Sequence, residues 1–560
     1  MFPNLRHLGI KPERYFRFVF LPLSVLALIF IIVALLLLQS LMELIGLFAL
    51  VLYAVPGLIF AVALLYPKII EGRMRNEIDN NIHFYITHMG TLATSEIDRM
   101  EMMRIISQRK EYKTLAEETR KIYLLMDKWN RNLAQACRFI ARRTPSNIFS
   151  DFLDRMAHEL DSGEDFKEFI RREQKVVMDD FTNHYSGKLY SIDVFKELYV
   201  SIVLSLAFFA AFAIIMPFLT GINVTHMMYL IMLFFILTEA GVITYLKGVA
   251  PQDPVWQTSG ELTSADAKLF RWTNIGIAAT LVTFTVVGFF NYILHLIDIP
   301  FPFILAISVT PLLLPGLKAK KEESEIRNKD RNAPSFIMSL GASASARGGN
   351  ILESLKYLTA HDFGRLTEDV RALYKRLNTR INKARAWQKF SIGTNSNLIY
   401  RFMDMFTEAI TIGSDPKDAA TIVANNFNLL NSLRTKRNQA ASSFVGISYG
   451  VIIGIAFSLY ISFGVVESMS NLYASLGAAQ KYIGDILHVV PPEDLSFIDM
   501  LVFIILLIHS AVSSFAIKIM DGGRYIAGLP HFVGMVWLAA VAGFISKKLI
   551  TDLLVISPMQ

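Results

Sequence analysis

The chain has 560 residues, 53% hydrophobic and 18% charged, and a mean hydropathy of +0.41, too apolar for a water-soluble domain of that size. One cysteine, Cys137, excludes intrachain disulfides and multi-cysteine metal or iron–sulfur sites. The net charge of +7 is uneven: residues 67–197 carry 22 basic and 22 acidic side chains, whereas 318–437 carry 21 basic and 12 acidic.

Arg6, Lys11, Arg14 and Arg17 precede a first apolar run at about 18–38, long enough to cross a hydrocarbon core of roughly 30 Å. No small-x-small cleavage site follows it, so it reads as a retained span rather than a signal peptide. A second span is expected at about 44–66, completing an N-terminal region 1–66. A hydrophilic block of helical periodicity, 67–197, comes next. Spans three and four fill 198–246, a polar loop covers 247–271, and spans five and six fill 272–317. The basic block 318–437 follows, and 438–560 holds spans seven to nine with an acidic loop at 467–499. The expected fold is an all-α polytopic membrane protein with about nine transmembrane helices and two duplicated helical-bundle domains.

The duplication is legible in the residues. Thr144–Phe166 (TPSNIFSDFLDRMAHELDSGEDF) and Thr394–Pro416 (TNSNLIYRFMDMFTEAITIGSDP) match at an offset of 250. Each reads as a helix with one apolar face, a glycine stop at Gly163 or Gly413, and a new helix start. Asp415 followed by Pro416 is a strong start signal, whereas Asp165 lacks the proline. Four crossings separate the copies, so both blocks share one side. Basic residues crowd the block side, which puts both blocks and the N-terminus in the cytoplasm and the C-terminus outside.

Chemistry-bearing motifs are missing. GxxxxGK[ST], HExxH and a glycine-flanked serine elbow are all absent, so neither a catalytic residue, nor a cofactor, nor a metal site is expected. The basic clusters flank spans, where cytoplasmic retention explains them better than nucleic acid does. Glu239 and His509 are ionisable and lie within spans. Interhelical hydrogen bonding or a transport pathway would each account for them, but groups so scattered do not read as a proton relay. Lys518, at the end of span eight, is expected to snorkel.

Three stretches carry a family resemblance: Ala333–Leu358 (APSFIMSLGASASARGGNILESLKYL), His361–Phe390 and the IGSDP turn at Ile412–Pro416. With the duplication and the spans, the chain resembles the archaellum (archaeal flagellum) platform proteins called FlaJ or ArlJ, which carry type II secretion system F domains. The first block departs from that pattern, lacking paired glycines at Thr91–Arg99 and the proline. The resemblance implies a non-enzymatic membrane platform that binds a hexameric secretion-type ATPase on the cytoplasmic side and serves archaellin or pilin-like subunits. It implies a homodimer and a surrounding of membrane lipids. Two alternatives stay open: the platform of an adhesive pilus or secretion system, and a transporter or channel built from duplicated four-span units. The cluster Lys318, Lys320, Lys321, Arg327, Lys329 and Arg331 is then a candidate ATPase-docking surface, with positive-inside anchoring the competing explanation.

Overall fold

The computed structural model of the protein describes residues 12–36, 54–221, 224–296, 299–379, 382–475 and 492–554. Its regular elements are helices, with no strand among the described residues; the exception to helix is an isolated bridge between Trp256 and Ser396. Eight helices among the described residues are long and apolar enough to cross a membrane. The expected second span lies partly outside the described residues, as does most of the acidic loop at 467–499.

Nineteen helices suffice to follow the chain. They are α1 (Leu21–Leu36), α2 (Ala54–Asp79), α3 (Ile82–Leu92), α4 (Arg99–Ser107), α5 (Thr114–Asp127), α6 (Leu133–Ala141), α7 (Asn147–Asp161) and α8 (Phe166–Thr220). After the α9 span (Val224–Val249) come α10 (Ser264–Gly288), α11 (Phe301–Val309), α12 (Leu313–Ala346), α13 (Ile351–Leu358), α14 (Thr367–Asn378), α15 (Lys383–Gly393), α16 (Asn397–Thr411) and α17 (Pro416–Ser475). The last two are α18 (Pro492–Asp521) and α19 (Leu529–Leu554). The repeat extends well beyond its most similar strings: α4 to α8 match α13 to α17 in order and near-constant offset. Asn132 and Asn382 even cap equivalent helices, accepting from the backbone N–H of Gln135 and Arg385.

Helices run through the borders between block and span. α8 has 55 residues and α17 has 60, so the last helix of each block continues into the bilayer without a break. α2 and α12 do the same on the way in. The stretch Thr367–Gly393 carries two helices, α14 and α15. Gly348 and Gly349, with φ of 62° and 85°, end α12, whereas Gly341 is buried inside it.

Two compact units divide the chain: Met1–Phe181 with Glu408–Ile422, and Thr182–Thr407 with Val423–Gln560. In the first, Tyr15 donates to the carbonyl of Ala63 at 2.6 Å and stacks on Tyr66. Its aqueous core is aromatic, with Tyr85 edge-on to Phe149 and Phe152. Cys137 is fully buried there, and burial pushes its thiol far above the ordinary range. In the second unit Phe336 packs on Phe390 and Phe402 stacks on Phe427.

The matching strings fold alike because the same serine does two jobs in each. Ser146 accepts from Phe149 N–H at 3.2 Å and donates to Asp79; Ser396 accepts from Ile399 N–H at 3.0 Å and donates to Asp330. All four residues are buried. At the far end of the strings Gly163 (φ 78°) and Gly413 (φ 100°) occupy the left-handed region that terminates a helix without a Cβ penalty. There the backbone N–H of Glu164 reaches Glu159 and that of Ser414 reaches Ala409. Asp415 then starts α17, accepting from Lys417 and Asp418 N–H at 2.9 and 3.0 Å.

Ser396→Ala removes a cap and leaves a buried aspartate short of a donor. It is expected to destabilise the protein by about 1–3 kcal/mol, measured as the unfolding midpoint in detergent micelles. Lys375→Ala, on an exposed helix face, should change it by less than about 0.5 kcal/mol.

Candidate functional site

Asp330 is the inner end of a buried charge cluster in the second unit. Arg434, on α17 seven residues before the apolar run that starts at Ala441, donates to Asp330 at 2.9 Å. The same guanidinium forks onto Asp253 at 2.6 and 2.7 Å and reaches the carbonyl of Pro254 at 2.8 Å. Bidentate geometry of this kind is what arginine supplies and lysine does not. One helical turn on, Arg437 donates to the carbonyls of Met520 and Ile519 at 2.5 and 3.0 Å, satisfying the C-terminus of α18. It also reaches the carbonyl of Asp253 at 2.8 Å.

The turn after α18 closes the cluster. Lys518 bridges Glu323 at 2.7 Å and Asp521 at 2.5 Å, and Arg327 donates to the other oxygen of Asp521 at 2.5 Å. Glu323 also accepts from the Trp256 indole at 3.2 Å and from Arg524 N–H at 2.6 Å. Gly522 and Gly523 have no room for a side chain: a Cβ at the first would lie 2.6 Å from Arg437, and at the second it would overlap the Glu323 carboxylate. Around these groups is a cavity of about 220 Å³, with Arg331, Asn431, Ser432 and Asn438 in its lining.

The loop after α9 is held to this cluster by the second copy of the repeated string. Gln257 N–H donates to the Asn395 carbonyl at 2.9 Å, Asn397 N–H to the Val255 carbonyl at 3.1 Å, and the Thr258 hydroxyl to the Asn397 side chain at 3.0 Å. Asn395 adopts φ 60° to permit this, a region in which asparagine is tolerated. The string is therefore more than a helix, a stop and a start.

The six sequence-selected cations divide. Arg327 is paired with Asp521, and Lys329 lies 2.8 Å from Asp369. Burial pushes the Asp369 carboxyl up against the pull of Lys329. Lys318 sits 3.4 Å over the ring of Trp272. Lys320, Lys321 and Arg331 are exposed. Lys518, expected to snorkel, is instead buried and doubly paired, because a partner set waits for it at the helix end.

The two intramembrane groups meet. Glu239 on α9 and His509 on α18 are both buried, with Nδ1 of the imidazole 2.5 Å from the carboxylate. Apart in sequence by 270 residues, they are joined by the packing of α9 along α18. This corrects the expectation of scattered groups.

The turn at Gly413 lies in the first unit together with α3. Ser414 donates to the carbonyl of Thr91 at 3.0 Å, and Glu408, one helical turn before Ile412, meets His88 Nε2 at 2.8 Å and Arg109. Burial raises the Glu408 carboxyl, but His88 and Arg109 more than offset it and hold it below the ordinary glutamate range. Its counterpart turn, with Gly163 and Asp165, makes an exposed cluster in which Arg172 reaches Glu164.

A flagella accessory protein J of Methanocaldococcus jannaschii is 37% identical over 561 residues, covering 100% of this chain and 99% of its own. Another, from Methanococcus voltae, is 39% identical over 554 residues, 98% of each. The chain belongs to the flagella accessory protein J family. Residues 85–214 also match the family described as Type II secretion system (T2SS), protein F. That match falls on the first copy, although the resemblance in sequence was carried by the second. No solved structure matches.

In this flagella accessory protein J relative, Asp253, Asp330, Arg434, Arg437 and Asp521 were not singled out from the sequence. One signal was available: Asp79 and Asp330 stand at nearly the repeat offset, each ahead of the matched serine. The pairing of Arg434 with the loop after α9 and with α12 had no local signature.

Arg434→Leu removes the main cationic partner of the buried Asp330 and of the half-buried Asp253 and is expected to cost about 3–5 kcal/mol, with Arg434→Leu/Asp330→Asn recovering part of it in the same micelle assay. A second measurement concerns acid. Because the folded-state value of Glu408 is depressed, its contribution is present above the unfolded value of about 4.3 and fades as pH falls through the lower folded value. The stability difference between wild type and Glu408→Gln should be about 1–2 kcal/mol at neutral pH and shrink in acid. A pH-independent difference would contradict this assignment.

Proposed function

We propose that the protein is the membrane platform of an archaellum, a type IV pilus-like machine, with both hydrophilic blocks and the N-terminus in the cytoplasm and the C-terminus outside. In this reading it is not an enzyme. A hexameric secretion-type ATPase docks on the blocks, and archaellin or pilin-like subunits are assembled at the spans, the platform working as a homodimer. The observation that carries the reading is mechanical: α8 and α17 run from each block into the bilayer as single helices. A load applied to a block is then passed to the spans by continuous backbone hydrogen bonds rather than through a flexible linker. The family relationship supports the same role.

The docking surface in this proposal is the exposed set Lys320, Lys321 and Arg331. Arg327 and Lys329 belong to internal pairs, so reversing their charge would test stability rather than docking. Lys320→Glu/Lys321→Glu/Arg331→Glu should leave insertion and unfolding midpoint unchanged and lower affinity for the ATPase at least about tenfold, with weaker dependence on salt. Unchanged affinity in a well-folded variant would rule these three out as the docking surface.

A further inference from the structure

We infer that Glu239 and His509 form a proton-binding site in the middle of the membrane, and that it exchanges protons with the aqueous phase on one side alone, the side of the Asp330 cluster. The inference does not rest on the platform reading.

The charge state follows from burial. His509 is 0% and Glu239 1% exposed, and Glu239 Oε2 has no hydrogen-bond partner among the described residues. With a single proton, on Nδ1 and shared with the carboxylate, the pair would carry one net negative charge in a medium that strongly penalises it. Taking up one more proton makes the pair neutral. This holds for an imidazolium facing a carboxylate and equally for a neutral imidazole accepting from a carboxylic acid. Both of these forms carry a hydrogen on Nε2, whereas the unloaded form has Nε2 bare; a third neutral form, with the proton on Oε2, would bury a hydroxyl that has no acceptor among the described residues. Uptake therefore happens at Nε2.

Nε2 faces hydroxyls. Tyr199 and Ser513 each lie 3.5 Å from it and 2.8 Å from one another. A hydronium ion arriving on that side gives its proton to a hydroxyl, which passes its own proton to Nε2. Water is released, and the pair goes from one negative charge to none.

Access is one-sided because of what α18 carries. Between His509 and Lys518 stand Ser510, Ser513 and Ser514, over a rise of about 13 Å. Ser514 is close to the buried Lys518, since a Cβ on Gly528 would be 2.8 Å from the Ser514 hydroxyl and 2.9 Å from the Lys518 side chain. In the other direction Met500–Ile508 (MLVFIILLI) offers no hydrogen-bonding side chain before Asp499.

Other charged groups near the pair are few. On α8, Lys196 lies one turn from Tyr199 and is held by Asp193 at 2.6 Å. On α9 the next charge is Lys247, and α17 has none from Ala441 to Val466; its Phe444 packs on Tyr199. α18 contributes Lys518 and Asp521 at one end and Asp499 at the other, and α19 contributes His531, which meets Tyr449.

The test is nitrogen NMR of the full chain, labelled with ¹⁵N-histidine, in sealed lipid vesicles of uniform orientation. The His509 signal is identified as the one moved by Glu239→Gln and absent in His509→Asn. Nε2 should lose its proton as the pH on the cluster side is raised and stay unchanged when only the opposite side is raised. Tyr199→Phe/Ser513→Ala should slow Nε2–H exchange at least tenfold. An Nε2 in one state across the accessible range, with the protein folded, would overturn the proton-binding site and leave the pair a static interhelical bond. Response from both sides, or from the opposite side alone, would overturn the one-sided path.

Discussion

Asp330 is where the second copy of the repeat, the membrane spans and the connecting loops are fastened together. Its carboxylate takes a hydrogen bond from the serine that caps α16 and another from Arg434 on α17. Arg434 in turn holds the loop that follows α9. A buried arginine shared by two aspartates is costly to desolvate and worse to break, so the cluster acts as a constraint on which helices can be neighbours. In the first copy Asp79 receives the same serine bond, with the exposed Arg75 at 3.7 Å. The two copies share a fold and differ in how much charge they bury.

Much of the architecture was legible in the chain because the forces behind it are local. Apolar length announces spans, and a glycine ahead of Asp415–Pro416 announces a helix junction. The offset of 250 announced the duplication before any helix was located. What escaped was interaction at long range. Lys518 reads as a snorkelling lysine, since only the fold brings Glu323 up to it. Glu239 and His509 read as candidates for interhelical hydrogen bonds without a named partner, because their meeting depends on how α9 packs along α18. The cation cluster after span six read as one surface, yet a helix points its residues in every direction: Arg327 and Lys329 turn to partners while Lys320, Lys321 and Arg331 face outward.

Polar chemistry along α18 is graded. One end carries Lys518 and Asp521 amid full sets of partners, the middle carries the histidine–glutamate pair, and the stretch beyond is hydrocarbon. α18 is a structural beam, packed closely on α9 and α19, so changes in charge along it are felt where helices meet. In a bilayer, helices are not pressed together by water. Polar contacts of this kind therefore count for more in choosing partners than in adding stability.

The charge cluster takes one carboxylate from each copy of the repeat. Asp253 follows the fourth span of the first copy, and Asp521 ends the fourth span of the second. Asp521 meets Arg327 of its own copy, but Asp253 reaches across to Arg434 of the other. Made between two separate chains, that second contact would have a strength set by how many chains the membrane held. With both copies in one chain the partners meet at a fixed effective concentration, on the order of millimolar for a short tether, and the contact is independent of abundance.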